Sequence, residues 1–211
     1  MSDFNNELNK ITLLIFIQME EKQLNEKESL ELITQMIRNT QQRIEKGNGI
    51  PFLIWGYTTV LVSLLVWYML KSTGNDYWNL LWFLIPLIGF AAMTITMKKE
   101  YKGVKTYLDK VIMYVWIVVG IAAFLPAPAA TLIEGFPILF MVIMLISIGS
   151  AITGLIISFL PLICSGFAGM FLSIFCLILG NTLDSILVFA ALFLIVQVIP
   201  GHILNWQGRK K

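Results

Sequence analysis

The sequence predicts an all-α, polytopic transmembrane helix bundle of six spans, N-in and C-in, with a short amphipathic helix in the cytoplasmic segment before it. Three observations predict it. Of 211 residues, 57% are apolar and only 13% are charged, where soluble domains average about 25% charged. A sphere of this size lacks the interior to hide so much apolar surface. Six stretches reach or approach the roughly 20 residues needed to cross a hydrocarbon core about 30 Å thick. Lys and Arg gather on the cytoplasmic side of membrane proteins, and nearly all of them here fall in segments that six spans place together. The composition excludes a soluble enzyme, a nucleic-acid-binding module and a disordered scaffold.

Residues 1–49 form the cytoplasmic segment. Ile11 to Ile17 is apolar but too short to span, and no small-residue cleavage site follows it, so it does not read as a signal peptide. Met19 opens a polar start, Met-Glu-Glu-Lys-Gln-Leu-Asn-Glu, so Met19 is the expected natural initiator and residues 1–18 a non-native upstream extension. A helix is expected over about 26–46. Asn25 and Glu28 have capping-box spacing, and Leu30, Ile33, Ile37 and Ile44 make an apolar stripe broadened by Leu32 and Met36. Glu26, Glu28 and Glu31 crowd its start while Arg38, Arg43 and Lys46 crowd its end, as the helix dipole favours. Gly47-Asn48-Gly49 stops it. The stripe either packs on the cytoplasmic loop or membrane surface, or forms a seam with a second helix.

The six-span membrane domain is expected over residues 50–205. Its first two spans cover about 50–70 and 77–97. The third covers 106–125, where Pro126 and Pro128, lacking amide donors, stop it. The fourth and fifth, 136–159 and 160–179, follow one another almost directly, with Pro161 in the first turn of the fifth. The sixth covers 183–199 and ends at Pro200-Gly201, leaving 206–211 as a basic cytoplasmic tail. Five spans, with the fourth and fifth merged into one broken or re-entrant unit, is the rival count. Charge decides between them. With six spans, Lys10, Lys22, Lys27, Arg38, Arg43, Lys46, Lys98, Lys99, Lys102, Lys105, Lys110, Arg209, Lys210 and Lys211 all lie inside, and only Lys71 lies outside. Five spans would export the terminal Arg-Lys-Lys. Trp55, Tyr57, Trp67, Tyr68, Tyr77, Trp78, Tyr107 and Trp206 fall near the predicted headgroup levels and read as interface anchors.

Chemistry-bearing groups are few. No ionisable residue lies deep in a predicted span, which is where proton relays and ion sites announce themselves. The most polar candidates inside the membrane are Gln197, Thr58 and Ser150, with further hydroxyls at Thr59, Ser63, Ser147, Thr153, Ser165 and Ser173; their expected role is hydrogen bonding between helices. Small residues are dense in spans four and five. Gly149, Ser150, Gly154, Ser165, Gly166 and Gly169 include the small-xxx-small pairs Ser150/Gly154 and Ser165/Gly169. They predict close helix packing, of these two spans with each other or across a subunit interface. Arg38, Arg43, Lys46, Lys98, Lys99, Lys102 and Lys105 are candidate contacts for anionic headgroups or a partner.

His202, the one histidine, reads as a polar helix end at the interface, and Cys164 and Cys176 lie too far apart on one helix to pair. Asp76, Glu134 and Asp184 fall in three outer loops and read as isolated loop charges unless those loops converge on a cation. No nucleophile elbow, Walker loop, HExxH or dinucleotide glycine pattern occurs, so no catalysis, cofactor or metal is expected. Leu84-Ile-Pro-Leu-Ile88 is echoed by Phe159-Leu-Pro-Leu-Ile163, and Asp109 by Asp184, both 75 positions on. Three spans plus three would make this an inverted repeat, but apolar sequences match by chance easily, and spans one and four do not align.

The runs Glu28-Ser-Leu-Glu-Leu-Ile-Thr-Gln-Met-Ile37, Gly49-Ile-Pro-Phe-Leu-Ile-Trp-Gly-Tyr57 and Lys102-Gly-Val-Lys-Thr-Tyr107 resemble a group of uncharacterised, Bacteroidetes-type small polytopic membrane proteins of unknown function. The resemblance covers about residues 19–210. It implies a bacterial inner membrane and carries over no activity and no site residues. The expected function is that of a non-catalytic structural or regulatory membrane component. Its partners are the lipid bilayer and a second copy or another membrane or cytoplasmic protein, with no nucleic acid. A small-solute permease or permease subunit is the alternative if Gln197, Thr58 and Ser150 line a cavity at mid-depth. A homo-oligomeric pore is the third reading, if the small-residue helices meet at a subunit contact.

Overall fold

The computed structural model describes residues 27–35, 49–100, 107–180 and 182–210. The chain forms two units, Met1–Gln42 and Arg43–Lys211. In the first, residues 27–35 are helical (α1), inside the predicted helix, and the Thr34 hydroxyl donates to the Leu30 carbonyl at 2.7 Å. The expected cap at Asn25, the extension 1–18, Met19, and Arg38, Arg43 and Lys46 lie outside the described residues.

The second unit is a multi-pass helical bundle with no strand among its described residues. Six stretches are long and apolar enough to cross a membrane: Gly49–Thr73, Asp76–Thr96, Tyr107–Ala130, Ile138–Ile157, Leu160–Leu179 and Leu183–Gln207. Span one is a single helix, α2 (Gly49–Thr73), and it buries one continuous stripe, Phe52, Gly56, Thr59, Val60, Ser63 and Val66. Span two starts as a 3-10 helix, Asp76–Phe83, because Asn75 caps it by accepting from the Tyr77 amide at 3.0 Å. It relaxes into α3 (Leu84–Glu100) around Pro86, which has no amide to return to the preceding turn. Span three is α4 (Tyr107–Phe124). Pro126 ends it as expected, but the chain then enters a further short helix, α5 (Ala127–Leu132), with Pro128 in its first turn, where a missing amide costs nothing.

Spans four and five are two full helices, so the five-span count does not hold. Span four is α6 (Ile138–Ile157), and span five is α7 (Leu160–Leu172) continued by α8 (Ile174–Leu179). Ser158 turns the corner between them in the left-handed region, φ 56°. The Phe159 amide bonds back to the Gly154 carbonyl at 2.9 Å, closing the last turn of α6, and the Phe159 ring is buried against the core.

The end of span six differs from expectation. α9 (Leu183–Phe193) passes into a π turn, Leu194–Val198, and then into α10 (Ile199–Lys210), so the helix runs straight through Pro200-Gly201 and residues 206–210 of the predicted tail are its last turn. A proline inside an α-helix clashes with the preceding turn and removes a bond. Here the Ile199 amide reaches back five residues to the Leu194 carbonyl, and the wider turn makes room for the ring.

The bundle has an inner and an outer part. Spans one, four, five and six bury between 28% and 56% of their apolar stretch, and spans two and three 6% each. α2 packs on α9, on the π turn and on α10; α6 packs on α7. Span two leans on span one, where Trp55 lies against Gly89 and meets Phe90 edge-on at 5.3 Å. Span three leans on span four, where Val119 lies against Gly149. Trp55, expected to be only an interface anchor, is thus also a packing residue between spans one and two.

Candidate functional site

Where spans one, four, five and six converge, small and hydroxyl side chains pack beside the apolar core of Val60, Ile143, Phe189 and Val196. α6 and α7 run antiparallel in one fixed register: Gly154 faces Ile163, Ala151 faces Gly166, and Ser147 faces Gly169. A methyl group on Gly154 would lie 2.7 Å from the Ile163 amide nitrogen, and one on Gly166 would lie 2.6 Å from that of Ala151. Neither contact is attainable without separating the backbones, so glycine is what permits this crossing. Of the two arrangements open to the small residues, the structure shows the packing of these two spans with each other. Gly149 belongs to another contact, the one with Val119 of α4.

The hydroxyls mostly do not bridge helices. Ser63 donates to the Thr59 carbonyl, Ser147 to Ile143 and Thr153 to Gly149, each at 2.7 Å, and Ser150 donates to Ile146 at 2.9 Å. In each case the donor satisfies itself one turn back on its own helix. What these residues contribute to packing is small volume without an unsatisfied proton. The expected glue between helices is confined to one strong bond, from the Gln197 Nε2 to the Ser150 Oγ at 3.0 Å.

That bond joins two of the three candidates inside the membrane. Gln197 lies in the π turn and is 1% exposed, and Ser150 is fully buried. Gly56 on α2 lets span one close over them, since a methyl group there would lie 3.1 Å from the Gln197 Cβ and 2.7 Å from the Val198 Cγ2. Thr58, the third candidate, is buried on α2 two residues farther on, and it is not a partner of the amide oxygen. The Ser150 hydroxyl, already donating to Ile146, offers its lone pairs to the amide nitrogen. The amide oxygen is left over: Gln197 Oε1 is the buried side-chain oxygen that has no donor among the described residues. One residue earlier, the Val196 carbonyl has lost its i+4 donor to Pro200, and the nearest hydroxyl, Ser165 Oγ, is 3.5 Å away and bonds better to Leu162 at 3.1 Å.

The other candidates are placed separately. His202 is exposed, and its Nε2 pairs with the Tyr57 hydroxyl at 2.7 Å, tying α10 to α2. Asp76, Glu134 and Asp184 are exposed, and no three His, Cys, Asp or Glu among the described residues form a group able to hold a metal. Cys164 and Cys176 are free thiols. Lys102 and Lys105 lie outside the described residues; Lys98 and Lys99 are in α3 by backbone alone. Sequence reasoning missed Gly56 and the π turn. The usable signal was a glutamine three residues before a proline in a run, 186–201, that holds no other strongly polar side chain. No protein-family model, curated protein or solved structure matches this chain.

Proposed function

We propose that this chain is a non-catalytic structural or regulatory component of the bacterial inner membrane, with both described ends of the bundle cytoplasmic. The observation that carries the reading is the chemistry of the buried polar set. It consists of Thr58, Thr59, Ser63, Ser147, Ser150, Thr153, Ser173, Ser185 and Gln197 among the described residues. None of these is an acid, a base or a histidine, the groups that relay protons or bind ions inside membranes. The orientation rests on the basic residues, of which six spans gather all but Lys71 on one side. The inner membrane rests on the resemblance of the three quoted runs. On this reading Arg38, Arg43, Lys46, Lys98, Lys99, Lys102 and Lys105 meet anionic headgroups or a partner's acidic surface, at about 1 kcal/mol per cation near the membrane.

Two experiments test it. A reporter active only outside the cytoplasm, fused after Lys211, stays silent; activity there overturns the orientation. Proteoliposomes holding the purified chain take up small neutral solutes no faster than protein-free vesicles. Saturable uptake overturns the scaffold reading in favour of a small-solute permease, the second reading, which the unpartnered Gln197 oxygen beside an irregular turn of helix favours.

A further inference from the structure

We infer that Gln197 Oε1 is a binding site for one neutral hydrogen-bond donor inside the membrane, either a water molecule or the hydroxyl of a small solute. The oxygen is buried, and its amide is held by the Ser150 hydroxyl at 3.0 Å, so it cannot turn away to find a partner without breaking that bond. No protein donor reaches it among the described residues. In hydrocarbon an unmatched acceptor is far costlier than in water, so polar atoms at this depth are matched from somewhere.

The backbone beside it points the same way. The π turn and Pro200 leave the neighbouring Val196 carbonyl without an i+4 amide, and the Ser165 hydroxyl reaches it only at 3.5 Å. The Gln197 amide oxygen therefore has room to accept a hydrogen that the described side chains do not supply. A water or an alcohol has the hydrogens to give. A cation does not fit, because no acid among the buried described residues would balance it. An anion is repelled by an acceptor oxygen. The inference holds whether the chain is a scaffold or a permease, and its test is separate from the uptake measurement.

The full chain in lipid nanodiscs, labelled at valine carbonyl carbon, at glutamine carbon and nitrogen and at isoleucine methyl carbon, gives one assignable Val-Gln signal, because Val196-Gln197 is the sole Val-Gln step in the sequence. Water-edited solid-state NMR then measures how fast magnetisation passes from water to the Gln197 side-chain carbonyl. Transfer several-fold faster than to the buried Ile143 methyl groups assigns the donor as water. Slow transfer, with a saturable shift of the carbonyl resonance on adding glycerol, assigns it as a solute hydroxyl. Slow transfer with no saturable shift leaves the oxygen dry and overturns the inference.

Discussion

Spans two and three are about as apolar as the four spans they flank, yet they bury 6% of their apolar stretch where span six buries 56%. Hydropathy therefore does not sort these helices. Lipid tails are as apolar as leucine, so burying one more leucine against protein gains little. Side-chain volume sorts them. The inner helices carry Gly56, Gly154, Gly166 and Gly169 at their crossings and hydroxyls that are satisfied one turn back. The outer helices present Leu87, Phe90, Ile117 and Phe124 to the surroundings. Each is held by a few large side chains, span two by Trp55 on Gly89 and Trp82 on Phe189, span three by Val119 on Gly149 and Trp116 on Phe52. Close approach of backbones gains dispersion contacts that lipid cannot match. Bulky side chains on a helix face leave that face to lipid.

Breaking the inner register has the largest expected effect. Gly166→Leu forces α6 and α7 apart and costs about 3 kcal/mol or more, read as loss of folded protein during thermal unfolding in detergent. Gly120→Leu in outer α4, where a methyl group would meet nothing within 4 Å, stays within about 0.5 kcal/mol of the parent. Equal effects would remove the distinction between inner and outer spans.

Next comes the contrast between two buried serines. Ser150→Ala strips the Gln197 amide nitrogen of its acceptor and costs about 1–3 kcal/mol. Ser147→Ala removes a hydroxyl bonded only to its own helix and costs under about 0.5 kcal/mol. Chemical-unfolding midpoints measure both.

Trp55→Ala loosens the contact between α2 and α3, including an aromatic pair of about 1 kcal/mol. The expected outcome is faster hydrogen exchange across α3 with α9 unchanged; faster exchange in both would place Trp55 in the common core. The smallest effect is at the end of the bundle, where Tyr57→Phe deletes an exposed bond to His202 and costs about 0.5–1 kcal/mol. Differential scanning on the two proteins shows whether α10 is held there or by its apolar face alone.

Much of this fold can be read before any coordinates are known, because bilayer thickness prescribes the length of an apolar stretch, and each of the six expected spans overlaps an observed one. The Gly154, Gly166 and Gly169 contact is legible for a similar reason: small residues in two adjoining spans have few other uses there. What sequence does not carry is the partner of each group. Pro200-Gly201 looks like a stop, since only the π turn beside it, held in place by neighbouring helices, lets the helix continue. Trp55 looks like an anchor, as its neighbour Gly89 is 34 positions away. Gln197 and Ser150 stand out separately as polar, and the bond between them depends on how span six rolls against span four. The surplus oxygen follows from that bond, so it is invisible until the helices are assembled.

Gly49 and Gly201 bring the first turn of α2 against α10 so closely that a methyl group on Gly49 would collide with the Gly201 carbonyl. During synthesis the opening span enters the bilayer well ahead of the helix that covers it, with four crossings still to be made. Its stripe from Phe52 to Val66 must stand against acyl chains for that whole interval. The hydroxyls of Thr59 and Ser63 can endure the wait, since Ser63 is already served by its own helix. Assembly of the bundle is therefore a closure that only the final crossing completes, and a ribosome stalled after span five would leave an inserted chain whose first helix still lacks its lid.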